Sequence, residues 1–126
     1  MAVTPGRCRE LALALTGASE APHFDRLAFR TPRRIFATLG PDGDLNLMFD
    51  HDLRDFYCEA APEAFAPVAG GWGRRGATRC ELTRVDETTL SSALQAAHRR
   101  AAPAAGRRGV PVRTPRGQRR SGPVEP

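Results

Sequence analysis

The sequence predicts an α+β domain: a small antiparallel sheet with about three helices, in the order α-β-β-β-α-β-β-α. Three observations predict it. Apolar residues recur at helical spacing in three separated stretches, they alternate in the stretches between, and Gly- or Pro-containing turns short enough for hairpins join the alternating runs. A chain of 126 residues holds one core, since at this size roughly two thirds of the unfolded surface is buried.

Thr4 and Pro5 offer an N-cap and a first-turn proline, and Cys8, Leu11, Ala12 and Leu15 follow at helical spacing until Gly17 stops them. Phe24 to Arg30 then tends to a strand, Thr31-Pro32-Arg33 breaks it, and Arg34 to Leu39 resumes with Ile35, Ala37 and Leu39 on one side. The turn Gly40-Pro41-Asp42-Gly43 leads to a third strand, Leu45 to Phe49. Asp50 or Asp52 caps a second helix, in which Leu53, Phe56, Tyr57 and Ala60 share a face and which Pro62 ends. A short strand around Ala64 to Val68 precedes the loop Gly70 to Gly76, and Thr78 to Val85 forms a fifth strand with Cys80 and Leu82 facing the core. Asp86 caps the last helix, with Leu90, Ala93, Leu94 and Ala97 on one side and His98, Arg99 and Arg100 suited to the negative end of its dipole. Pro103 terminates it.

Charge divides the chain at that point. Residues 1–100 carry thirteen arginines against thirteen carboxylates, whereas the remainder holds six arginines and one glutamate, so the net charge of +5 belongs to the C-terminal segment. Residues 1–103 read as the domain. Residues 104–126, dense in Pro, Gly and Arg and poor in large apolar residues, bury too little surface to offset ordering entropy and are expected to be a disordered tail. Every basic residue is arginine, the signature of a GC-rich genome.

Several function classes recede. No apolar run is long enough for a membrane span, and the start has no basic-then-apolar leader, so the chain reads as cytoplasmic with no membrane partner. Cys8, Cys58 and Cys80 are scattered without C-x-x-C spacing and read as reduced, packed thiols. His23, His51 and His98 are equally dispersed, so neither metal nor cofactor is indicated. Glu20, His23 and Asp25 lie together in an expected loop, but no nucleophile accompanies them; no catalytic residue is assigned and the chain reads as a non-enzyme.

The segments ALALTGASEAPHF (Ala12 to Phe24), RRIFATL (Arg33 to Leu39), LNLMFD (Leu45 to Asp50) and PVAGGWGRRGATR (Pro67 to Arg79) resemble the MmcQ/YjbR family of DNA-binding-type proteins, the match running over about residues 8–102. The resemblance implies a bacterial protein with a CyaY-like, double-wing α+β fold and DNA as its partner. Two positions depart from the family pattern: Met48 stands where relatives commonly carry lysine, and Ala77 where many carry tryptophan.

Candidate DNA-contacting residues fall in two loops and on one strand. In Gly70 to Gly76, the glycines permit close approach to a phosphate, Arg74 and Arg75 supply charge, and Trp72 a stacking surface. The G-x-G-x-x-G spacing here precedes no helix, which removes the dinucleotide reading. The turn around Thr31 brings Arg30, Arg33 and Arg34, whose forks match phosphate geometry, while the turn at Asp42 and Asp44 would be repelled by phosphate. Strand phase places Arg34, Phe36, Thr38, Asn46, Met48 and Arg79 opposite the core, on a face expected to be covered by a helix or a second subunit. The tail would add non-specific affinity, with a log-log salt slope of about −5 if six arginines neutralise phosphates. The alternative is a small-molecule-sequestering or protein-interaction module in which Phe24, Phe29, Phe36 and Trp72 line a pocket or interface. Oligomeric state is not legible.

Overall fold

The structure, a computed structural model, describes residues 2–102. The expected tail, residues 104–126, lies outside the described residues.

Side-chain caps start the three long helices where the sequence places them. Helix α1 (Pro5–Leu13) begins at Thr4, whose Oγ1 accepts from the Arg7 amide at 3.1 Å. Helix α2 (His51–Ala60) begins at Asp50, whose Oδ1 accepts from the Leu53 amide at 2.9 Å. Asp86 caps the last helix, Glu87–Ala101, by accepting from the Thr89 amide at 2.7 Å; that hydrogen bond holds its carboxyl below the usual range.

Six antiparallel strands form one sheet: β1 (Ser19–His23), β2 (Arg26–Arg30), β3 (Ile35–Leu39), β4 (Asp44–Leu47), β5 (Phe65–Pro67) and β6 (Thr78–Glu81), in the spatial order β1-β2-β3-β4-β6-β5. The one-turn helix α3 (Gly71–Arg74) lies between β5 and β6, and a 3-10 turn (Leu82–Arg84) precedes the last helix, named α4. Both edge strands carry a proline, Pro22 and Pro67, which removes a backbone donor where pairing with another chain would begin.

Four expectations are corrected. Ser19–His23 is a strand rather than a loop, because five of its residues find partners on β2 although its sequence, SEAPH, lacks apolar alternation. Gly71–Arg74 is a helical turn inside the expected loop. The fifth expected strand, Thr78 to Val85, stops at Glu81 and tightens into the 3-10 turn. Phe36 faces the core, not the opposite side. The register shifts so that Phe29 opposes Ala37 while Arg30 opposes Ile35, leaving Phe36 as the extra residue of a β-bulge. Its ring is fully buried, 6.5 Å from that of Phe29 and edge-on to His98 of α4 at 5.4 Å.

Helices α4 and α2 pack on the face presented by Phe29, Leu45, Leu47, Cys80 and Phe65, and α1 packs on α4. Tyr57 of α2 stacks on Phe49 and meets the tilted ring of Phe65, both at 5.2 Å, and shares a 2.6 Å hydrogen bond with Ser92 of α4. Burial pushes the Cys8 and Cys80 thiols up to about 12. The opposite face carries one row across the sheet, Ala21, Ala28, Thr38, Asn46, Arg79 and Ala66, paired strand by strand. Among the described residues no helix lies on this row, so the helix half of the expected cover is not found. Arg26 lies over its centre instead, donating to Thr38 Oγ1 at 2.9 Å and to Asp44 Oδ2 at 2.8 Å.

Candidate nucleic-acid interface

Strand polarity sorts the loops to two ends of the sheet. At one end lie the β2–β3 turn, the end of β4, α3, the start of β6 and the C-terminus of α4. Two contacts fix the α4 terminus there: Thr31 Oγ1 donates to the Ala101 carbonyl at 2.8 Å, and Arg100 Nη1 donates to the Met48 carbonyl at 2.6 Å. Eight of the thirteen described arginines therefore share this end: Arg30, Arg33, Arg34, Arg54, Arg74, Arg75, Arg99 and Arg100. Strands β2 and β6, which carry the two arginine loops, are three strand positions apart, roughly 14 Å, or about four base steps of DNA. Asp50 and Asp52, at the start of α2, lie at the same end and offset only part of this charge, Asp50 standing 3.7 Å from Arg100.

Five of the seven expected site residues lie on the two loops. Arg33 and Arg34 are exposed on the β2–β3 turn; Trp72, Arg74 and Arg75 sit on or beside α3. Arg30 is half-buried, its Nε donating to the Thr31 carbonyl at 3.2 Å, but its side of β2 opens at the same end. Arg79 is not brought together with them. It stands in the middle of the open sheet face and pairs with Glu81 at 3.0 Å.

Two glycines of the α3 segment, Gly73 and Gly76, are required by packing. A Cβ on Gly73 would lie 1.7 Å from the Val68 carbonyl oxygen, and Gly76, at φ +118°, turns the chain where a Cβ would lie 2.5 Å from the Phe49 carbonyl oxygen. Helix α2 holds the same segment from outside: Arg54 Nη1 donates to the Gly73 carbonyl at 2.8 Å, and His51 Nε2 contacts the Arg74 carbonyl. Anchored through its backbone on two sides, the turn leaves the Trp72 indole 56% exposed.

Trp72 borders a pocket of about 260 Å³, with Met48, Phe49 and Ala77 as its other apolar walls and Arg75 and Arg100 at its polar margin. Arg100 is oriented by the Met48 carbonyl and by Asp50, 3.7 Å from its Nε. Among the described residues, Arg75 has no side-chain hydrogen bond or ion pair. Met48, Phe49 and the α4 arginines escape sequence reasoning because only strand order and helix packing bring them to α3; Arg99 and Arg100 read in sequence merely as a dipole-compensating helix end.

The sequence profile of the YjbR family matches residues 13–100. The chain belongs to the YjbR family. The crystal structure of Deinococcus radiodurans protein DR2400, a DUF419 domain, is similar to it with a TM-score of 0.62 at 20% identity, covering 75% of each chain. At that identity the likeness establishes the α+β fold alone. No curated protein matches significantly. Met48 and Ala77 both line the pocket.

The far end of the sheet differs in kind. The β1–β2 hairpin turns through Phe24-Asp25, with Phe24 at φ +61° and 94% exposed, next to Pro22, Leu39 and Pro41. Phe24 is thus far from Trp72, and Phe29 and Phe36 are buried in the core, so the four aromatics do not line a common cavity. Glu20 and His23 fall on opposite faces of β1, and Glu20 is held by Arg9, whose Nε donates to it at 2.6 Å, so Glu20, His23 and Asp25 form no acid–base cluster. Among the described residues no helix is long and apolar enough to cross a membrane, and no cluster of metal ligands occurs.

Proposed function

We propose that this domain binds DNA through the arginine-rich end of its sheet, with the tail adding non-specific affinity. One observation carries the reading: arginines distant in sequence gather at one end of a domain with no net charge, around an exposed indole. Guanidinium forks match phosphate oxygens, and phosphate contacts supply most of a DNA-binding protein's non-specific affinity. The β2–β3 turn and the α3 segment then act as two positively charged tips, Arg30, Arg33 and Arg34 on one and Arg74 and Arg75 on the other. Arg79, paired across the open face, contributes little.

The same chemistry favours a binding protein over an enzyme. The thiols of Cys8 and Cys80, held near 12 by burial, are poor nucleophiles. The exposed arginines stabilise phosphate charge but transfer no proton at neutral pH.

Anisotropy of labelled DNA against the full chain, over a salt series, tests the reading. Arg74→Ala with Arg75→Ala should weaken binding about tenfold and flatten the log-log salt slope by about two units, one for each lost phosphate contact. Unchanged affinity in that variant would remove the α3 segment from the interface.

A further inference from the structure

We infer that the pocket beside Trp72 receives one unpaired nucleobase, so that the partner of this end is single-stranded DNA or a frayed strand terminus rather than intact duplex. The inference rests on the DNA reading and adds to it the class of DNA. Phosphate contacts alone need only exposed guanidinium groups, and Arg33 and Arg34 already provide those. The pocket needs a different explanation, since it sets the exposed Trp72 beside Met48 and the nearly buried Phe49 and Ala77, with two arginines completing its lining.

Its size limits what enters. About 260 Å³ falls just below the roughly 300 Å³ at which pockets for drug-sized ligands begin, so one planar ring system fits and an extended ligand does not. Its chemistry favours a ring joined to an anion. The apolar walls take a base by stacking, and guanidinium groups at the mouth take the phosphate attached to it. Arg100 is already oriented by the Met48 carbonyl and Asp50, which lowers the ordering cost of binding, while Arg75 is free among the described residues to follow the strand.

The interior base pairs of a duplex cannot use this pocket. Both faces of a paired base are covered by its neighbours, so insertion requires a base already unstacked or one whose unstacking costs a few kcal/mol. With a single exposed aromatic the site stacks one base, and stacking discriminates weakly between bases.

Trp72 is the only tryptophan of the chain, so its emission reports this pocket directly. Full chain should be titrated with a short oligothymidine strand and, separately, with a duplex of the same length whose terminal pairs are covalently cross-linked, following Trp72 fluorescence and the anisotropy of labelled DNA together. The single strand should quench and blue-shift Trp72 and bind more tightly than the duplex. Trp72→Ala should weaken the single strand about tenfold, the loss of one base stack, and weaken the duplex much less; Trp72→Phe should restore part of the loss. Single-strand binding by anisotropy with unaltered Trp72 emission and no effect of Trp72→Ala would overturn the pocket assignment while leaving the arginine-rich end as a backbone-binding surface. Duplex binding equal to single-strand binding, with identical quenching, would overturn the preference for unpaired DNA. No binding of either DNA would overturn both readings.

Discussion

The two ends of the sheet are built from the same strands and differ in nearly every physical property. At the α3 end, arginines from two loops and a helix terminus converge, an indole is exposed beside a pocket, and the backbone is held firmly by Gly73, Gly76, Arg54 and His51. At the hairpin end, an exposed phenylalanine sits in the left-handed region and the turns carry Asp25, Asp42 and Asp44. Charge is therefore arranged by topology and is invisible in the net total: an antiparallel sheet sends alternate turns to opposite ends, so the turns can specialise independently.

The largest expected effect concerns the rigidity of the α3 end. Gly73→Ala drives a methyl group into the Val68 carbonyl, and denaturant unfolding should show a loss of about 3 kcal/mol. An unchanged midpoint would mean that the segment yields and its glycines do not fix it.

Charge comes next. Arg33→Glu with Arg34→Glu should weaken DNA binding by tenfold or more, about 1.4 kcal/mol. Asp42→Arg, at the hairpin end, should leave the affinity unchanged because that tip lies away from the DNA. Equal effects from both variants would erase the distinction between the ends and reduce binding to total charge.

A gain of stability is expected at the hairpin end. A phenylalanine at φ +61° is strained, and asparagine tolerates that region better, so Phe24→Asn should raise stability by about 1 kcal/mol without altering DNA binding. Loss of stability would show that Phe24 contributes packing that its exposure does not suggest.

The smallest effect is electrostatic. Burial raises the Asp44 carboxyl, but the hydrogen bond and charge of Arg26 outweigh that and hold it below the usual range. A carboxyl whose value is lower in the folded state stabilises the fold above its unfolded value of roughly 3.9 and loses that contribution as pH falls through the folded value. Thermal melts should show Asp44→Asn less stable than the parent near neutrality by about 0.5 kcal/mol, with the gap closing as pH falls through the lowered folded-state value. A gap independent of pH would assign the loss to packing.

Much of the fold is legible in the sequence because its signals are local. Thr4, Asp50 and Asp86 mark helix starts through chemistry that acts within three residues, and the apolar faces of the helices follow from their own spacing. What escapes is set by partners distant in sequence. Strand β1 is held by β2 rather than by its own polar, proline-containing sequence, and Phe36 turns inward because a bulge against Phe29 breaks the period of two. The site divides the same way. Trp72, Arg75 and the Thr31 turn stand out as residue types in loops, whereas Arg100 and Met48 join them only through the packing of α4 against the sheet.

The central claim, that DNA meets the α3 end and not the hairpin end, is tested most directly by amide chemical-shift mapping of the full chain with and without a short DNA strand. The account predicts the largest changes at Arg30 to Arg34, Met48, Trp72 to Ala77 and Arg99 to Arg100, with little change at Phe24 to Leu27 or Gly40 to Asp44. Changes centred on the Phe24 hairpin, or confined to residues 104–126, would contradict it.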